Sequence, residues 1–75
     1  MNPLLSMAII SLDNIKSGEI FLVKELFLGY EWKRLSWGER TNLGLLFIDQ
    51  VRNDPSLNVT ILPKTASNHL KYKKM

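Results

Sequence analysis

At 75 residues, with 45% hydrophobic and 23% charged side chains, the chain has the composition of one globular domain able to bury roughly 60% of its unfolded surface. Disorder and a fibrous repeat are excluded by that balance, and a second core by the length. The chain has no cysteine, so neither disulfides nor a thiolate metal site can support the core, which points to a reducing, cytoplasmic setting.

The net charge of +3 is unevenly distributed: residues 1 to 54 hold six basic and seven acidic side chains, whereas residues 55 to 75 hold Lys64, Lys71, Lys73 and Lys74 and no acid. A basic block of this kind suits phosphate or an acidic protein surface, or serves only to keep the chain soluble. The opening Met1 to Ile10 is mildly apolar. It lacks a basic leader region and is shorter than the ~20 residues that span a bilayer. We read residues 1–10 as a tether, with Met7 an equally good start for the ordered part, and residues 11–75 as the domain.

Along the domain, Ser11 to Lys16 places a capping residue before the i, i+3 pair Leu12 and Ile15, predicting one or two helical turns that Gly18 stops. Glu19 to Val23 is a short β-prone run with Phe21 and Val23 on one face. Lys24 to Tyr30 predicts a short helix ended by Gly29, with Leu26 and Phe27 toward the core. Tyr30 to Leu35 predicts a second, with Trp32 and Leu35 on its apolar edge and Lys33 and Arg34 outward.

The strongest local signal is Ser36-Trp37-Gly38-Glu39, an S-x-x-E capping box that satisfies the free amides of a helix start. The third helix then runs to about Arg52. Its inward stripe is Leu43, Phe47 and Val51 with Leu46 and Gln50, and each apolar member contributes about 1.5–3 kcal/mol on burial. Asn53-Asp54-Pro55-Ser56 breaks it. Asn58 to Leu62 alternates and is β-branched, and His69 to Lys73 alternates again across a polar loop; together they predict a hairpin with a basic tip.

A short leading strand, three short helices and a C-terminal β-hairpin make an α+β chain in the element order of a winged helix-turn-helix. In that arrangement the third helix can enter the major groove while the hairpin forms a wing over the backbone. The leading strand can add to the hairpin as a third strand.

The run Gly18-Glu19-Ile20-Phe21 with Val23-Lys24-Glu25-Leu26-Phe27, then Trp32, Arg40, Leu43-Gly44 and Phe47, and finally Lys64 and Tyr72-Lys73 resembles a winged-helix-like family. Its members are small proteins of Gram-positive bacteria and their phages, grouped as a domain of unknown function. The resemblance covers roughly residues 12 to 74. It implies a bacterial or phage setting and carries no activity. Where that family often has a basic residue this chain has Leu45, a departure that weakens direct base reading.

Catalysis finds little support. His69 is the single histidine and lies in a polar turn, and the acids Glu19, Glu25, Glu31 and Glu39 are spread singly, as on a solvated surface. The four glycines never form a phosphate-binding loop pattern. We therefore expect no enzyme, cofactor, metal site, small-molecule substrate or membrane partner.

For nucleic acid, the candidates are Lys33 and Arg34 on the second helix and Trp37, Arg40 and Thr41 at the start of the third. Lys64, Thr65, Ser67, Asn68 and Lys71 complete the set in the wing. Free amides at the third helix's start offer a further phosphate contact. Leu45 falls nearly opposite the core stripe, and Ile48 falls well off it beside Thr41 and Arg52. Two readings follow: a DNA-binding regulator of transcription, contacting double-stranded DNA with the third helix and wing, or a protein-interaction module. In the second, Trp37, Leu45, Ile48 and Arg52 would contact a second copy or a host protein.

Overall fold

A helix begins almost at the first residue. The Asn2 side-chain oxygen accepts from the Leu4 amide at 2.8 Å and the Leu5 amide at 3.4 Å, and Pro3 occupies the first helical position, where its missing amide costs nothing. The computed structural model describes residues 2–63 and 70–75. In chain order they form helix α1 (Pro3–Ser11), strand β1 (Ile20–Phe21), helices α2 (Gly29–Lys33) and α3 (Trp37–Asn53), and strands β2 (Val59–Ile61) and β3 (Tyr72–Lys74). Three-residue or four-residue 3-10 turns at Leu12–Asn14, Val23–Leu26 and Pro55–Leu57 join them. Among the described residues no helix is long and apolar enough to cross a membrane.

The tether expected over residues 1–10 is instead α1, packed on α3 and on the Val23–Leu26 turn. Leu5 is 5% and Ala8 0% exposed, and with Leu12 they recur at the i, i+3, i+7 spacing of one helical face. A tether would leave those side chains in water, whereas here they meet the buried stripe Leu43, Phe47 and Val51 of α3.

A second correction concerns the segment before α2. The expected helix from Lys24 to Tyr30 is only the Val23–Leu26 turn, because Phe27 is extended (φ −123°, ψ 153°) and buries its ring in the core. Gly29 therefore starts α2 and does not end the element before it.

The sheet has the order β1-β3-β2, antiparallel throughout. Phe21 pairs with Tyr72, and Tyr72 with Ile61. The expected hairpin and its third strand are both present, and bonds from Lys74 N to Glu19 O (2.9 Å) and from Met75 N to Asn58 O (2.7 Å) tie down the carboxyl end. Gly18 turns the chain into β1 with φ +89°, a conformation that an L side chain rarely adopts. Phe21, Phe47 and Tyr72 form the aromatic centre of the core. The Phe47 and Tyr72 rings meet edge-on at 4.9 Å, and Phe21 stacks on Tyr72 at 5.7 Å, geometries that favour the ring quadrupoles.

The glutamates are the third departure. They do not simply solvate the surface: each reaches back to the amide three residues earlier. Glu19 accepts from Lys16 at 2.6 Å, Glu25 from Leu22 at 2.7 Å, Glu31 from Leu28 at 2.9 Å and Glu39 from Ser36 at 2.9 Å. Only at Ser36 is the box reciprocal, since Ser36 Oγ accepts from the Glu39 amide at 3.1 Å and a leucine side chain has no acceptor. Carboxylates held at turn and helix starts also sit at the favourable end of the backbone dipole.

Candidate nucleic-acid interface

The joint between α2 and α3 is built around Trp32. Phe27 packs against Trp32 with ring centres 5.8 Å apart, and the Arg40 guanidinium lies over the other ring system, 5.3 Å from the Trp32 centroid. One Arg40 nitrogen donates to the Trp32 carbonyl at 3.0 Å. Among the described residues its Nε is buried without a partner. Arg40, expected on the nucleic-acid face, is thus turned inward, where it clamps the two helices by a cation–π contact and a charge-assisted bond.

The remaining candidates on these helices face outward. Lys33 and Arg34 close α2, both exposed, and the Arg34 guanidinium lies 4.9 Å from the Tyr30 ring centre. On α3, residues Trp37, Thr41, Leu45, Ile48 and Arg52 recur at i, i+4, i+8, i+11 and i+15 and so form one stripe along the helix. Trp37 is 80% and Leu45 65% exposed. Ile48, expected well off the core stripe, is half-buried and packs against the core. Thr41 donates its hydroxyl to the Trp37 carbonyl at 3.0 Å, which leaves its methyl group outward. Beside this stripe lies a polar one of Asn42, Asp49 and Asn53, all exposed, in which Asn53 Nδ2 donates to Asp49 Oδ1 at 3.1 Å.

The hairpin adds charge. Lys71 is exposed beside the ladder, its carbonyl accepting from the Leu62 amide at 2.8 Å. Since Tyr72 points into the core, the alternation of a strand puts Lys71 and Lys73 together on the outer face. Lys73, which pairs with Ile20 and Thr60, belongs to the candidate surface although the sequence reading passed over it; its i, i+2 spacing from Lys71 was the available signal. Lys74 is committed elsewhere, donating to the Leu12 carbonyl at 3.2 Å. Lys64, Thr65, Ser67 and Asn68 of the expected wing tip, and His69, lie outside the described residues.

Burial pushes the Tyr72 phenol, in the core, up to about 12, against an opposing pull from Arg52. Among the described residues no group of three or more histidine, cysteine, aspartate or glutamate side chains could hold a metal ion. No curated protein and no solved structure matches the chain. Its residues 6–74 match the family described as "Domain of unknown function (DUF1413)", and the chain belongs to that family.

Proposed function

We propose that the protein is a winged helix-turn-helix that binds duplex DNA, a small regulator of transcription from a Gram-positive bacterium or its phage. The observation that carries this reading is the topology. Helix, strand, two helices and a hairpin close into a sheet of order β1-β3-β2, which leaves the outward face of α3 unpacked and a lysine-bearing hairpin in the same fold. The bacterial or phage setting rests on the resemblance of the core positions. Phosphate would be met by Lys33, Arg34, Arg52, Lys71 and Lys73, all on exposed or half-exposed positions. The hydrogen bond from the Ser36 amide to the Glu39 carboxylate supports docking near the start of α3, because that carboxylate is already held by a backbone donor. No catalytic role is proposed. The groove between the Leu12–Asn14 turn and α2 presents Glu25 and Glu31, but each carboxylate is tied to a backbone amide.

The test is a titration with duplex DNA, followed by tryptophan emission at several salt concentrations. If about four phosphates are neutralised, the logarithm of affinity falls with the logarithm of salt at a slope of about −3.6. Absence of salt-sensitive binding at micromolar protein ends the reading.

The exposure of Trp37 and Leu45 favours a second reading, in which α3 docks on a protein, either a second copy or a host target, through Trp37, Leu45, Ile48 and Arg52. Aromatic and arginine anchors are enriched at such contacts. Under that reading Leu45→Gln abolishes self-association or partner capture while the fold and the DNA titration stay as in the parent protein.

A further inference from the structure

We infer that α3 reads A·T base pairs, through thymine methyl groups and adenine, and not guanine. This rests on the DNA-binding reading above and concerns what that surface selects. Each base pair shows a distinct pattern in the major groove, and guanine is most often met by a bidentate arginine or lysine. Helix α3 contains only two such residues, Arg40 and Arg52. Arg40 is bound to the Trp32 carbonyl and stacked on the Trp32 ring, and Arg52 is in the last turn. Base edges are met by the N-terminal part of a recognition helix, so neither is placed for guanine.

What the first turns of α3 do offer is another alphabet. Leu45 projects an exposed isobutyl group, and Thr41 has its hydroxyl hydrogen taken by the Trp37 carbonyl, so the outward group is a methyl. Both are apolar partners for the thymine C5-methyl. Asn42, exposed beside them, carries the amide that bonds adenine N6 and N7 in pairs. Asp49, the cytosine-type acceptor on this face, is a full turn beyond Leu45 and is engaged with Asn53. The exposed cations Lys33 and Arg34 at the end of α2, three residues before Trp37, give positive charge next to the start of α3, as a duplex, and not a neutral protein face, requires.

The experiment uses the whole protein and three duplexes of equal length: alternating A·T, the same duplex with every thymine replaced by deoxyuridine, and a G·C duplex. Binding is read by fluorescence anisotropy for the parent chain, Leu45→Ala and Asn42→Ala. Leu45 and Asn42 are exposed, so both variants keep the fold, which circular dichroism checks. The expected result is A·T binding at least about fivefold tighter than G·C, by the ~1–3 kcal/mol of discrimination that a good base contact supplies. Loss of the thymine methyl weakens the parent about fourfold per contact, through both Leu45 and Thr41, and weakens Leu45→Ala by one such contact fewer. Asn42→Ala narrows the A·T preference.

Equal affinity for all three duplexes overturns the inference and leaves DNA binding standing. No binding to any of them removes both. A dimer in sedimentation that Leu45→Ala dissolves also overturns the inference, because the face then belongs to a second copy.

Discussion

Replacing Leu5 by alanine separates a structural α1 from a tether. The side chain is 5% exposed and sits in the core with Ala8 and Leu12, so truncation removes a buried isobutyl group and leaves a cavity against α3, at a cost of about 2–5 kcal/mol. A chain of 75 residues has a total stability of about 4–11 kcal/mol, so the variant loses a large share of it. With ~4–8 °C per kcal/mol for a domain of this size, a loss of about 3 kcal/mol lowers Tm by roughly 12–24 °C. Ile10 on the same helix is 70% exposed, and Ile10→Ala is expected to stay within about 0.5 kcal/mol of the parent. Urea unfolding followed by tryptophan emission, with thermal melts in parallel, measures both. Should the two variants melt together, α1 contributes no core and its packing on α3 is refuted.

Three further outcomes follow from the same contacts. Ser36→Ala removes the hydroxyl acceptor at the start of α3 and is expected to cost about 1 kcal/mol, with Ser36→Asp largely restoring it; equal loss in both variants would deny the cap. Arg40→Lys keeps the charge but loses the planar stack on Trp32, so stability falls by about 1–2 kcal/mol and Trp32 emission shifts, while the salt slope of DNA binding holds because Arg40 points inward. With the phenol of Tyr72 raised to about 12 from 10.0, both folded and unfolded chains carry it neutral below pH 10. Above that pH the unfolded chain ionises first, so the stability present at neutral pH declines across about pH 10 to 12, by up to ~1.4 kcal/mol per pH unit. Tyr72→Phe should abolish that part of the decline, and an identical slope in the variant would assign it to other groups.

Much of α3 and of the hairpin was legible in the residues themselves. A capping box, an i, i+4 apolar stripe and two alternating runs are local signals, and each encodes its element without reference to the rest of the chain. The outward position of Leu45 followed from helical periodicity alone, whereas the exposure of Trp37, in the first turn, did not. Helix α1 was missed because Leu4, Leu5, Met7, Ala8, Ile9 and Ile10 are apolar nearly all round, so no face stands out. The Asn2-Pro3 start was the cue that remained.

Other features belong to the tertiary structure only. Whether Arg40 faces solvent or Trp32 depends on the angle at which α2 meets α3, and Ile48 is half-covered because neighbouring elements reach its flank of the helix. The amide contacts of Glu19, Glu25 and Glu31 needed the actual turns, since a carboxylate three residues after an amide is common and becomes a cap only where the backbone bends back toward it. Lys73 and Lys74 are adjacent lysines in the sequence; strand pairing sends one to the outer face and the other to the Leu12 carbonyl. Local sequence set α3 and the strands of the hairpin, because their caps and periodicities act within a few residues. Which charges remain available to a partner was decided by packing between segments far apart in the chain.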